Sequence, residues 1–501
     1  MRDLPRSRVL YGAVTAAMLL LPPAARAQRA PAGDTAVERR IRAVVSGLLV
    51  ETAQDDSFER ASLQDRMAYY HTPGVSIAVV DGYRVEWARG FGVREAGRPG
   101  RVDANTRFQA GSVSKPTFAV VVMRLAEAGR LSLDDDVDGY LTSWRIPPVG
   151  DWRPRVTLRQ LLTHSAGFTV HGFLGYARSQ PVPTVPQLLD GLPPANSAPV
   201  RMNILPGLQV RYSGGGLTVA QLAVTDHVGE PLPQLARRLV FAPLGMTRSG
   251  YDQPLRDTAD VATGHYWMAR PLSGRWHTYP ELAAAGLWTT PGDLARLGAS
   301  LQHALRGDSN EILSPQSARA MVTDQRLAGG SIGISFFLEG QGDSARIEHG
   351  GWDEGFLTEF VMYVRGGRGA VVMVNSTEGG DLINEIVRSI AREYGWPGYI
   401  GAPPAAAALA ASRAADAAGT YTLATGAPVT VEDRSGELWL TLPDEPPVHL
   451  VPTSDSTFVV PGLNVRATVS AADSSARVLL LRQSGTTVRA ERRPRPAARP
   501  D

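Results

Sequence analysis

The chain has 501 residues, 43% of them hydrophobic and 20% charged, with a formal net charge of +2. These values exclude a disordered chain, a collagen-like repeat and a polytopic membrane protein, and the length exceeds the ~100–200 residues of one ordinary domain. Cysteine is absent, which excludes disulfides, thiolate metal sites, a cysteine nucleophile and a lipid-anchored cysteine.

Residues 1–27 have the pattern of a secretory signal peptide. Arg2, Arg6 and Arg8 precede an apolar run over residues 9–21, too short to span a bilayer, and Ala25-Arg26-Ala27 offers a cleavage site before Gln28. The expectation is a periplasmic or extracellular protein with no stable membrane insertion after cleavage. This stretch holds four arginines and one aspartate, so the remainder carries 47 basic and 48 acidic residues. No basic face is implied, and no nucleic-acid partner is expected.

Residues 35–52 have the apolar spacing of an amphipathic helix, and 53–70 read as a polar connection or second helix. Residues 74–80 form an apolar strand, Asp81-Gly82 a hairpin turn and 83–92 the returning strand. Such a hairpin argues against a purely parallel sheet. Residues 112–129 predict a helix apolar on most sides, hence buried. The Pro- and Gly-rich stretch 168–210 reads as loops over a cavity. Helices are expected over 216–228, 235–241, 293–305 and 379–394, and strands over 331–339, 356–364 and 370–375.

Residues 401–418 are an Ala/Pro-rich linker. Six short alternating strands follow within 419–488, a spacing that predicts a small all-β domain, and 489–501 form an Arg/Pro tail. The expected organisation is therefore a signal peptide (1–27), a large domain (28–400), the linker, the β domain and the tail.

The chemistry begins at Ser112 and Lys115. Three residues apart at a helix start, they share one face. The helix N-terminus offers unpaired N–H groups and the positive end of a dipole, both of which favour an oxyanion. A desolvated lysine can be neutral and accept the serine proton. Ser-x-x-Lys alone is a common chance match. Here, however, the chain has 50 arginines and one lysine, and that lysine is Lys115. Arginine cannot lose its proton in a protein, so a chain that otherwise uses only arginine has placed its one side-chain amine, which can lose its proton, beside this serine.

With these residues the chain resembles the penicillin-recognising serine hydrolases, which comprise class C β-lactamases, D-Ala-D-Ala carboxypeptidases and related esterases. The resemblance spans residues 75–396. The family's Tyr-x-Asn is matched by Tyr212-Ser213-Gly214, and its Lys-Thr-Gly or His-x-Gly by His349-Gly350-Gly351. Leu161-Leu-Thr-His-Ser-Ala-Gly-Phe168, Pro243-Leu-Gly-Met246 and Ala285-Gly-Leu-Trp-Thr-Thr-Pro-Gly-Asp-Leu294 support it, in the family's order. The resemblance implies an α+β fold: an antiparallel sheet flanked by helices, with a helical subdomain and the site between them. It implies Tyr212 as proton relay, His349 and Gly351 beside the acyl group, and the N–H groups of Ser112 and Trp352 as the oxyanion site, with no metal and no cofactor. Gly214 departs from the pattern, removing the side-chain amide that would hold an amide carbonyl or orient the lysine. Esters or small amides are then expected ahead of D-amino-acid peptides and β-lactams. The competing expectation is a catalytically inactive binding protein whose ligand is held by loops 168–210. The β domain weakly resembles small lipocalin-like modules.

Other candidates have plainer readings. His164 is expected to brace its loop, His171, His265 and His277 to line the pocket or sit on loops, and no pair of histidines has zinc-motif spacing. Gly329-Gly-Ser331-Ile-Gly333 matches Gly-x-Ser-x-Gly, but the β-like run after it is wrong for a nucleophile elbow.

Overall fold

A computed structural model of the chain describes residues 35–51, 58–308, 312–400 and, in the C-terminal region, 416–423, 426–434, 436–442, 447–452, 456–460, 465–471, 477–483 and 486–492. The expected signal peptide, nearly all of the linker and residues 493–501 lie outside the described residues.

The centre is a six-stranded antiparallel sheet. In spatial order its strands are Phe337–Glu339, Arg346–Asp353, Phe356–Tyr363, Gly369–Val374, Gly74–Asp81 and Arg84–Gly92. The last two are the expected hairpin. Side chains alternate across the sheet. Val371 and Met373 join Ala78 and Val80 in the large core on one face; Ala370, Val372 and Val374 join Ile77 and Val79 on the other. The second face is covered by helices Ala36–Val45 and Gly380–Glu393, whose Ile41, Val44, Ile386 and Ile390 pack there. The first face carries helices Pro291–Arg306 and Ser114–Glu127, and beyond them a helical region that includes Gly214–Val228.

Ser114–Glu127 is the buried helix expected from its apolar sequence, with all but three of its residues buried. Its first turn is tied down: Ser114 Oγ donates to Gly111 O (2.6 Å) and accepts the Leu287 N–H (3.0 Å), and Tyr251 donates to Ser114 O (2.7 Å).

Several expected elements differ. The helix over 35–52 stops at Val45, because the Ser46 hydroxyl turns back onto Arg42 O (2.6 Å). The chain then enters strand Leu48–Glu51, paired with Phe58–Ala61. Helix Leu63–Tyr69 completes the 53–70 segment. The strand expected over 331–339 shrinks to Phe337–Glu339. Ser335 has φ +58°, and a side chain on Gly333 would lie 2.1 Å from Met321 O, so this run folds as a buried loop despite its β-like alternation. Helix 235–241 begins earlier, as Leu232–Ala236, and continues as a wide π-type turn, Arg237–Phe241. Arg346–Asp353, with Gly350 and Gly351 inside it, is the strand on which the resemblance puts His349-Gly350-Gly351; the residue pattern alone does not mark it.

The C-terminal region is a closed eight-stranded antiparallel barrel running from Gly419–Leu423 to Thr486–Arg492, whose first and last strands pair through Thr422–Glu491 and Leu423–Ala490. Tyr421, Val429, Leu440, Phe458 and Leu479 are among the residues filling it. Strands Val465–Ala471 and Thr486–Arg492 add to the six expected. The last strand takes in residues 489–492, which the charge pattern read as tail, because Arg489 and Glu491 pair along it (2.9 Å) while Ala490 faces the core.

Candidate active site

Ser112 sits in a single 3-10 turn, Gly111–Val113, just before the buried helix. Lys115 is in the first turn of that helix and 2% exposed. Its Nζ lies 2.8 Å from Ser112 Oγ and 2.8 Å from Ala284 O. Burial pushes its pKa down to about 7, and the charge of Asp353 opposes that fall. At neutral pH a large share of Lys115 is therefore unprotonated, as a general base requires.

Tyr212 closes another side. Lys115 Nζ is 4.9 Å from the centre of its ring. Burial raises the phenol well above its ordinary pKa, while a hydrogen bond with the Ser112 side chain pulls the other way. Its position is fixed by its neighbour: the Ser213 N–H donates to His164 Nδ1 (3.1 Å), and Ser213 Oγ caps helix Gly214–Val228 by accepting the Gly216 N–H (2.8 Å). The His164 ring lies 4.3 Å from the Tyr212 ring, so His164 braces this loop, as expected.

Strand Arg346–Asp353 forms the opposite wall. Alternation places His349, Gly351 and Asp353 on one side, all buried, and Gly350 and Trp352 on the exposed side. Gly351 is glycine for space: a Cβ there would lie 2.0 Å from Ala110 O and 3.3 Å from Ser112 N. A Cβ on Gly111 would lie 2.4 Å from Trp352 N, and Gly111 has φ +52°. Two glycines thus let the backbone of the serine turn lie against the backbone of Trp352. Gly351→Ala is expected to force these apart, at a cost of at least ~1–3 kcal/mol. Thermal melting together with ester turnover checks this; an alanine protein with parental stability and rate would show the contact to be dispensable.

His349 places Nδ1 2.7 Å from its neighbour's carbonyl, Gly350 O, and burial lowers its pKa to about 3, so it is neutral. Its ring lies 6.2 Å from Tyr212 and 5.4 Å from Phe337. Gly214 is crowded rather than open: its N–H donates to His171 O (2.9 Å), and a Cβ would lie 2.9 Å from that oxygen and 3.1 Å from the Phe173 ring. Loop 171–173 therefore fills the space a side chain would need, and the His171 ring rests 4.7 Å from Tyr212. His265 and His277 are structural ties, to Asn375 O and Leu174 O, each at 2.8 Å. Ser331 donates to Asp324 (2.9 Å) in a loop with neither strand before it nor helix after it. Among the described residues no group of three or more His, Asp or Glu could hold a metal, and no helix is long and apolar enough to cross a membrane.

A family model, Beta-lactamase, matches residues 60–392, two thirds of the chain and every wall just described. The chain belongs to the beta-lactamase family. Within it, the chain is 28% identical over 284 residues to Esterase EstB of Burkholderia gladioli, covering 54% of this chain and 70% of the other. It is 27% identical over 296 residues to Penicillin-binding protein 4 of Amycolatopsis lactamdurans, covering 57% and 74%. The octameric penicillin-binding protein homologue from Pyrococcus abyssi shares the fold, with a TM-score of 0.58, 20% identity and coverage of 86% of this chain and 98% of that one. The fold is thus that of beta-lactamases and penicillin-binding proteins, and the relatives in this family are serine hydrolases.

Asp353 escaped the sequence reading. It is fully buried, and its Oδ2 accepts the Gly111 N–H at 3.2 Å. Its signal was present: it stands four residues after His349, on the same side of any strand through both.

Proposed function

We propose that this beta-lactamase-family protein hydrolyses small esters through a covalent serine ester, with small amides, D-amino-acid peptides and β-lactams as poorer substrates. One observation carries the reading: the chain's only lysine is buried with Nζ 2.8 Å from Ser112 Oγ. Neutral Lys115 takes the Ser112 proton as Oγ bonds to the acyl carbon. The oxyanion forms between the N–H groups of Ser112 and Trp352, where preorganised donors are worth most. As the intermediate collapses, the leaving alcohol receives that proton through Tyr212. Water then attacks the acyl carbon and gives a proton back by the same route, and acid and free Ser112 result. His349, neutral and with its buried Nε2 unpaired among the described residues, stands beside the acyl group and steadies the acyl oxygen.

Gly214 supports the ester preference. It offers no side-chain donor, and the neighbouring loop leaves no room for one. An amide nitrogen also needs its proton more than an alkoxide does. Rapid mixing with a chromogenic ester is expected to release one product equivalent per enzyme before steady state, leaving acyl mass on the peptide that holds Ser112. Acyl mass on another residue, or turnover of a D-alanyl peptide equal to that of the ester, would overturn the assignment.

A further inference from the structure

The two ends of the cleft along strand Arg346–Asp353 are built differently. At the His349 end stand Phe337, whose strand pairs with Glu348, and Tyr212, whose ring stacks on Phe337 at 6.1 Å and lies 6.2 Å from His349. At the other end the chain turns at Glu354, whose N–H donates to the Tyr279 hydroxyl (3.0 Å). With Tyr212 as the relay, the leaving alcohol occupies the His349 end. The acyl chain, on the other side of the carbon bonded to Ser112, then runs towards Tyr279.

A strap, residues 170–174, crosses that second end and is tied at both of its own ends. At the start, the Gly215 N–H donates to Val170 O (3.0 Å) and the Gly214 N–H to His171 O (2.9 Å). Val170 is held there at φ +62°, a conformation a β-branched residue adopts only where its surroundings impose it. At the finish, Leu174 O accepts from the Tyr279 hydroxyl (3.3 Å) and from His277 Nδ1 (2.8 Å). His277 O in turn accepts from Gln109 Nε2 (2.8 Å), three residues before Ser112. Between these ties Gly172 and Leu174 are exposed, and Phe173 alone turns inward, 7% exposed. Its ring lies 3.1 Å from where a Cβ on Gly214 would be, two residues from Tyr212.

We propose that this strap selects the acyl group: Phe173 plugs the acyl end of the cleft beside Gly214, so that the enzyme takes esters of short, apolar acids. The proposal rests on Ser112 as nucleophile and Tyr212 as the relay to the leaving alcohol. A phenyl ring offers no hydrogen bond to a polar acyl substituent, which would lose its water there without replacement. The ring cannot swing aside for a long chain without breaking the ties at one end of the strap, each of which costs stability when its buried partner is left unpaired.

Esters that differ at one end only separate the two sides. p-Nitrophenyl acetate, butyrate and octanoate vary the acyl chain; ethyl and octyl acetate vary the alcohol. The full-length parent is expected to show kcat/KM falling from butyrate to octanoate. In Phe173→Ala the octanoate-to-acetate ratio of kcat/KM is expected to rise at least ~tenfold, through a gain on octanoate, while the octyl-to-ethyl acetate ratio stays in place. Phe173→Leu is expected to move the first ratio in the same direction by less, and serves if the alanine protein does not fold. A ring that merely packed the strap would lower all esters alike when truncated, so an unmoved octanoate-to-acetate ratio in a folded variant overturns the proposal. So does a parent that prefers octanoate, or a gain confined to octyl acetate, which would put the strap on the alcohol side. The underlying assignment fails separately, if a fluorophosphonate does not label Ser112 in the parent protein.

Discussion

Ser112→Ala is expected to lower ester turnover by at least ~10⁴-fold and to abolish labelling by a fluorophosphonate. The loss is large because a nucleophile and its base act as one unit, and removing either costs nearly as much as removing both. What would survive is the proposed oxyanion site, built from backbone on both sides of the Gly111–Gly351 contact, so a small residual rate above water is expected. The folded structure should tolerate the change, since Ser112 is only partly buried and the ties that hold the turn come from Ser114, Tyr251 and Asp353. Intact mass after incubation with the probe, together with steady-state rates, checks the expectation. Labelling that persists, or that maps to Ser331, would place the nucleophile elsewhere.

Lys115→Arg is expected to be about as inactive as Lys115→Ala, each ~10²–10⁴-fold below the parent in acylation. The task needs a group that is neutral in part near pH 7. Burial brings the lysine to about 7, whereas a guanidinium stays charged. The sign of the pH dependence follows: the base form of Lys115 accumulates above pH 7, so kcat/KM rises with pH through that value and falls as pH drops below it. If Lys115 served only as a fixed positive charge, arginine would keep much of the rate and the acid limb would vanish. Rates of both variants from pH 6 to 10 distinguish the two. An arginine protein within about tenfold of the parent would remove Lys115 from the role of base.

The sequence made some parts of this legible for physical reasons. The hairpin at 74–92 announced itself through an apolar run and an Asp-Gly turn, and the serine helix through apolar residues on nearly every side. Ser112 and Lys115 stood out because a chain with a single lysine makes its position informative. The strand that holds His349 did not, because Gly350 and Gly351 weaken any local preference for a strand. Gly351 is required by the serine turn packed against it, a contact over 200 residues away in sequence. Asp353 escaped with it, because its relation to His349 exists only on a pleated backbone. The run at 331–339 failed in the opposite sense: its alternation is real, but the approach of Gly333 to Met321 O bends it into a loop. In the barrel, Thr486–Arg492 was hidden by arginine and glutamate pointing to solvent on an otherwise ordinary strand.

The closure of that barrel has a consequence for crowded surroundings. An open sheet presents a row of unused N–H and C=O groups at each margin, where another chain can add by backbone pairing. Joining Gly419–Leu423 to Thr486–Arg492 leaves no unpartnered edge strand among the described strands. Neighbouring copies can therefore meet this module through its side chains, such as Arg434, Trp439 and Arg489 on its outer surface, but cannot extend its hydrogen-bond ladder. The module is thereby protected from growing into a shared sheet with other copies, a safeguard that depends on topology and not on any single residue.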